Sequence, residues 1–353
     1  MRLKVERENG EMMVTRRTFM QQSLAAAGTL VLAPAVFAEE AQVMTVTGAI
    51  APEQMGFTLP HEHIMSIFGG KPAKVAQYDE EKLFATVIPY LKMLKTFGVE
   101  TLCDCTAAYF GRRVDLLQRI SKETGLQILT NTGYYGAAKD LYVPEHVHKE
   151  TADQIARRWI DEWENGIDGT DIRPGFIKIG VDPGMPSDID KKLILAAGRT
   201  HLETGLTIAS HTSGSTDAAV EQVAMLEEMG VDLSAWIWVH AQNVKDPGDL
   251  PPVAQAGAWI SLDGIRKETL DHHINVLRYL RRFGVLRRVL LSHDGNSFRY
   301  GDRPFKPYDA IFDQFIPLMK RANFREEEIR MITVENPREA FGVRVRKVED
   351  FAE

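Results

Sequence analysis

The stretch "FTLPHEHI", from Phe57 to Ile64, sets two imidazoles either side of a glutamate. In an extended chain, residues i and i+2 point to the same face, so His61 and His63 would aim at one point. Two imidazoles aimed at one point suit a metal ion. Residues of ligand type recur at the ends of other short apolar runs: His211 in "LTIASHT", His240 in "AWIWVHA" and Asp294 in "RVLLSHDG". Four imidazoles and a carboxylate are donors for zinc, cobalt, manganese or iron. A lone histidine at a strand end is more often a hydrogen-bonded histidine than a ligand. His146, His148, His201, His272 and His273 keep that reading, and His293 should point away from Asp294. The metal reading therefore depends on the elements that carry these residues.

Eight short β-rich runs occur, at 57–61, 100–106, 126–133, 175–181, 206–212, 235–241, 258–264 and 288–295. Several are continuously apolar, as expected of parallel strands buried on both faces. Between them lie helical patterns such as "DEEKLFATVIPYLKMLKTFG", most of which stop at a glycine. Alternation of strand and helix predicts an α/β fold of parallel units. Eight such units close into a single-domain (β/α)8 TIM barrel, followed by short terminal helices in "FREEEIRMITVENPREAFG". In that barrel the carboxyl ends of all strands share one mouth. His61, His63, His211, His240 and Asp294 would then converge from distant parts of the sequence, together with Lys178 of "GFIKIGV".

The bulk properties agree. The chain has 353 residues, 44% of them hydrophobic, enough for a large core. A net charge of −7 argues against nucleic acid or an anionic membrane surface as the main partner. The two cysteines, Cys103 and Cys105 in "CDC", are expected to be buried strand thiols, since i and i+2 on a strand are poorly placed for bridging. Near the amino terminus, Arg16 and Arg17 precede an alanine-rich apolar run from Leu24 to Phe37, too short for a membrane span. Val36-Phe37-Ala38 offers a small-residue cleavage site. Residues 1–38 are read as a twin-arginine signal and 39–353 as the barrel domain. That signal implies the twin-arginine translocation machinery as a partner, export to the bacterial periplasm, and no membrane span in the mature protein. The route carries folded proteins, which suits metal loading before export.

Lys178 is the anomaly. An ammonium beside metal cations is repelled, and burying it unpaired is costly. Such a lysine must either shed its proton or be modified into an anion. Carbon dioxide adds to a neutral lysine amine to give a carbamate, whose two oxygens could bridge two metals.

Taken together, "GFTLPHEHI", "GTDIRPGFIKIGVD", "SHT", "VHAQN", "LLSHDG" and "VENP" resemble the phosphotriesterase-related branch of the amidohydrolase superfamily, from about Gly56 to Gly342. The resemblance implies two divalent metal ions, zinc first among candidates, with His61, His63 and Asp294 on the more buried one and His211 and His240 on the more exposed one. Lys178, carboxylated by CO2, would bridge them, as would a hydroxide that attacks a phosphotriester, lactone or carboxylic ester. Asp294 would accept the proton. A homodimer is also implied. Two positions depart from the organophosphate-degrading pattern: Gly264 follows the strand-seven aspartate where a histidine is expected, and Asn243 stands where an aspartate is expected. In the lactone-hydrolysing members the first of these positions holds an arginine, and Arg266 lies close to it. Tyr134, Tyr109, Arg266 and Phe298 are expected to wall the substrate pocket. Tyr135, Phe110, Tyr300 and Phe305 lie in the same mouth loops, as do Arg299 and Arg303, which are more often solvated charges. Two rival readings are a single-metal amidohydrolase with unmodified Lys178 and a non-catalytic metal-binding barrel.

Overall fold

The computed structural model describes residues 5–8, 11–14, 41–301 and 303–348. The chain divides into two units, Met1–Glu40 and Ala41–Glu353. In the first unit, β1 (Val5–Glu8) pairs antiparallel with β2 (Glu11–Val14). The segment 15–40, which carries the arginine pair and the expected cleavage site, lies outside the described residues.

The second unit opens with an antiparallel hairpin, β3 (Val43–Thr45) and β4 (Gly48–Ile50), absent from the sequence reading. All eight predicted strands then follow. They are β5 (Phe57–Ser66), β6 (Val99–Asp104), a third strand in two pieces β7 (Gln127–Leu129) and β8 (Asn131–Thr132), β9 (Phe176–Gly180), β10 (Ile208–His211), β11 (Trp236–Val239), β12 (Trp259–Asp263) and β13 (Val289–Ser292). A further strand, β14 (Asn296–Arg299), lies in the loop after β13. Helices α1 (Glu80–Thr96), α2 (Val114–Thr124), α3 (Ala152–Asn165), α4 (Asp188–Thr204), α5 (Thr216–Glu228), α6 (Leu250–Gln255) and α7 (Leu270–Arg282) separate the strands. Short helices α8 (Ile316–Arg321), α9 (Glu326–Arg330) and α10 (Asn336–Phe341) finish the unit.

Pairing is parallel throughout, in the order β5-β6-β7 and β8-β9-β10-β11-β12-β13. The two pieces of the third strand join these runs at Thr130. At the other end, β13 meets β5 through its backbone continuation: Asp294 N donates to His61 O (3.1 Å) and His63 N to Gly295 O (2.9 Å). The arrangement is TIM-barrel-like, an α/β fold of parallel strands.

Strand alternation sorts the side chains into two layers. Phe176, Ala209, Ile237, Val239 and Leu290 join Cys103, Cys105 and Leu129 in one cluster. Their neighbours Ile177, Ile179, Ile208, Trp236, Trp238 and Leu291 pack in the larger cluster that includes the helices. Lys178 has the parity of Phe176, and His211 that of Ala209. The same two-residue period that fills the inner layer therefore carries them to its open end. Both cysteines are free and buried.

The first strand runs five residues past its predicted end at His61, because β14 pairs with its outer half, Asn296 opposite His63 and Phe298 opposite Met65. The ladder outlasts the apolar run, so His61 and His63 sit within a strand.

Candidate metal centre

His61, His63, Lys178, His211, His240 and Asp294 line one cavity of about 160 Å³. The His61 and His240 imidazoles and the Asp294 carboxylate offer donor atoms all within 4.8 Å of one another. His63 Nε2 lies 3.4 Å and His61 Nε2 3.6 Å from Asp294 Oδ1. The His211 and His240 rings are 4.4 Å apart. The Lys178 side chain is fully buried, and its Nζ has no hydrogen-bond partner among the described residues.

Two of these residues depend on unusual backbone. His240 follows inward-facing Val239, so plain alternation would turn it outward; a φ of 63° returns it to the cavity. Asp294 has a φ of 52°. Left-handed backbone at a residue other than glycine is strained and tends to mark functional positions.

Buried neighbours fix the imidazoles. Asp263, at the end of β12, accepts from His61 Nδ1 (2.8 Å) and from His240 Nδ1, and its Oδ2 also accepts from Ser261 Oγ (2.9 Å). Thr106 Oγ1 donates to Met65 O, which leaves it to accept from His63 Nδ1 (2.8 Å). With each Nδ1 proton so engaged, the Nε2 lone pairs of His61, His63 and His240 are the ones left for a cation. Glu62, between the two histidines and on the opposite face, grips the chain around Asp294, at the end of β13. Its Oε1 accepts from Ser292 Oγ (2.8 Å), His293 N (3.0 Å) and His293 Nδ1 (2.8 Å), and its Oε2 from Gly295 N (2.6 Å). His293 thus faces away from the cavity, as expected from the sequence.

Burial pushes His61 down to about 4, against the pull of Asp263, and burial with the nearby His240 and Lys178 holds His211 far below its usual value. Burial opposes a charge on His240 too, but the Asp263 carboxylate outweighs it and raises the imidazole. Burial would raise both carboxyls, yet His240 and His61 hold Asp263, and His63 and His61 hold Asp294, well below the carboxylate range. Ionised carboxylates and the unprotonated imidazoles of His61 and His211 are in the state a metal needs from its ligands. An amine buried without a partner, facing four imidazoles, fits a ligand role better than that of a free ammonium. The residues present therefore fit a metal centre.

Asp263, Thr106 and Glu62 were not assigned roles from the sequence. The only signals were the acidic residues in "HEH" and "SLDG", whose partners lie far along the chain. Asp263→Asn is expected to weaken metal binding about 10- to 100-fold, because one amide cannot accept from both imidazoles. Competition with a chromophoric chelator would measure this.

The four residues expected to wall the substrate pocket stand apart from this cavity. None of Tyr134, Tyr109, Arg266 or Phe298 lines the cavity. Tyr134 turns outward to His146 (3.1 Å) and Trp159, and Tyr109 packs edge-on against it. Phe298 packs against Tyr78. Arg266 is 56% exposed and faces Glu268 (3.8 Å). Tyr135, the next residue after Tyr134 and so on the opposite face, lines the cavity with Phe110 and Phe68. Its ring stands edge-on to His211 at 5.2 Å. At the two positions that depart from the organophosphate-degrading pattern, Gly264 leaves room for Gln242, which hydrogen-bonds the Asp263 backbone, and Asn243 bonds Ser213 (2.9 Å).

The Phosphotriesterase family model matches residues 41–341. The chain is 32% identical over 293 residues to the phosphotriesterase homology protein of Escherichia coli K12, covering 81% of this chain and 98% of that protein. It is 28% identical over 310 residues to an aryldialkylphosphatase of Saccharolobus solfataricus, covering 83% and 97%. A solved structure of a substituted PTE-like lactonase from Deinococcus radiodurans superposes with a TM-score of 0.77 at 29% identity, covering 85% of this chain and 100% of that one. A match spanning nearly the whole unit that holds the six donors makes this chain a member of the phosphotriesterase family.

Proposed function

We propose that the protein is a binuclear metal-dependent hydrolase that cleaves an ester, either a lactone or carboxylic ester or a phosphotriester. The convergence of four imidazoles, one carboxylate and an unpartnered buried lysine on one cavity carries this reading. The names of the relatives, one an aryldialkylphosphatase and one a PTE-like lactonase, support the two ester classes.

His61, His63 and Asp294 would hold one divalent cation and His211 and His240 a second, with Lys178, as its carbamate, between them. When bound, the cations would supply a Lewis acid for the P=O or C=O group and acidify a water to a nucleophile at neutral pH. Asp263 keeps His61 and His240 in the tautomer that presents Nε2. Glu62 keeps Asp294 at the cavity. The Asp294 carboxylate, held ionised by its neighbours, accepts the proton released as the nucleophile attacks. Phe68, Phe110 and Tyr135 form an apolar wall that excludes water from one side of the substrate. The arginine pair at Arg16 and Arg17 supports export to the periplasm through the twin-arginine route.

The metal-loaded full chain should be tested against dialkyl aryl phosphates, γ- and δ-lactones and aryl esters, compared by kcat/KM, with metal content measured in parallel. The expected result is a pair of metals per chain and turnover of at least one ester class, lost on chelation and restored by zinc or cobalt. One metal per chain would favour the amide-cleaving rival. A full metal complement without turnover of any ester would favour the non-catalytic one.

A further inference from the structure

We infer that the ester taken by this site carries an anionic oxyacid group, a carboxylate or a phosphate, held at the cavity rim by Arg299 and Lys306. The inference rests on the ester-hydrolase reading and narrows its substrate class.

Both side chains line the cavity, and both belong to a segment pinned in place. Asn296 and Lys306 exchange backbone hydrogen bonds of 2.8 and 2.9 Å, closing the loop between them. Arg299 Nη1 donates to Pro304 O at 3.2 Å. Just beyond, buried Tyr308 ties the loop down: its N donates to Tyr90 OH (2.7 Å) and its hydroxyl meets Ser297 Oγ. The two cations are therefore placed by backbone and core contacts. Arg303, which the sequence grouped with Arg299, lies over Gly69 and does not line the cavity.

The cavity rim carries two cations, Arg299 and Lys306, and among the described residues lining the cavity Asp294 is the one carboxylate. Lys178 adds no positive charge, because the hydrolase reading makes it a carbamate. Lys306 Nζ bonds Asp294 Oδ2 at 2.8 Å. Among the described residues, the Arg299 guanidinium has a carbonyl for a partner and no carboxylate. Divalent cations on the donor set would make the mouth more positive still. A neutral ester gains little from two fixed cations beside the scissile bond. An ester bearing a carboxylate or phosphate gains a charge-assisted contact, and a guanidinium fork matches either group with two parallel N–H···O bonds. A cavity of about 160 Å³ suits a compact substrate of this kind.

The test uses the metal-loaded full chain and two readouts. The first is calorimetric binding of tetrahydrofuran-2-carboxylate and methyl phosphate, with tetrahydrofuran-2-methanol as the neutral control. The wild type should bind at least one anionic probe about tenfold more tightly than the neutral one, and Arg299→Gln should remove most of that preference. Whichever anion shows it identifies the source of the charge. Because anions also approach the metals directly, the Arg299→Gln comparison decides; equal affinities for both anions in the two proteins overturn the inference. The second readout is turnover of γ-butyrolactone against its carboxylate-bearing analogue. The charged lactone should lead by about tenfold in kcat/KM, with Arg299→Gln and Lys306→Met lowering the ratio mainly through KM. Esters cleaved with no preference for charge would sink this inference alone. Arg299-dependent anion binding without hydrolysis of any ester would sink the hydrolase reading and leave the anion site standing.

Discussion

Asp294→Asn should leave the barrel folded and lower kcat/KM by about a thousandfold or more, roughly 4 kcal/mol of transition-state stabilisation. The folding half of this expectation comes from the backbone. Asp294 has a φ of 52°, a conformation that asparagine tolerates better than most residues, and the side chain keeps its shape. Glu62 and the bonds from Asp294 N to His61 O and from His63 N to Gly295 O remain to hold the end of β13 against β5. The activity half comes from charge. The Asp294 carboxylate stands within 3.6 Å of two imidazoles and 2.8 Å from Lys306 Nζ. A neutral amide in that place cannot take up a proton, holds a cation less well, and leaves Lys306 without its counter-charge. Thermal unfolding, metal analysis and kinetics on one preparation separate these effects. If turnover stays low at full metal occupancy, the proton-accepting role accounts for the loss; if saturating zinc restores it, only ligation was impaired. Turnover within tenfold of wild type, without added metal, would remove Asp294 from the chemistry.

How much of this was legible in the sequence follows from the range of each interaction. A strand buried on both faces must be apolar along its length, so "GFIKIGV" and "AWIWVHA" announced themselves as parallel strands. A lysine or histidine set into such a run is conspicuous because burying it costs energy. Lys178, His211 and His240 were visible for that reason, and His61 with His63 by their spacing. What depends on a partner far along the chain was not visible. Nothing in "NSFR" announces that it will pair with the outer half of strand one, since it lacks an apolar run. Which of Tyr134 and Tyr135 meets the cavity is decided by a single-residue register, and sequence cannot fix that. Asp263 and Glu62 bond to residues remote from them in the chain, and the positive φ that aims His240 inward leaves no mark on residue type.

The second large effect is expected of Lys178→Ala. This lysine sits on β9 between β8 and β10, opposite Ala209, with its side chain wholly inside the barrel. Among the described residues its Nζ has no hydrogen-bond partner. An unpaired polar group buried this way costs on the order of a few kcal/mol, so its removal should not by itself unfold the protein; relief of that cost offsets the cavity left behind. If Lys178 were only a structural residue, the variant would bind metal and turn over substrate much as wild type does. If its carbamate bridges two cations, the variant should lose most of its bound metal and at least a hundredfold in kcat/KM. Acetate or propionate should then restore part of both, because a free carboxylate can enter the vacated space and present two oxygens as a carbamate would. A readout independent of turnover comes from the wild type: metal-loaded protein prepared in ¹³C-bicarbonate should show a carbamate carbon resonance that disappears in Lys178→Ala. A variant that retains its metals and activity, with no such resonance in the wild type, would leave Lys178 as a buried amine and the proposed two-metal centre without a bridge.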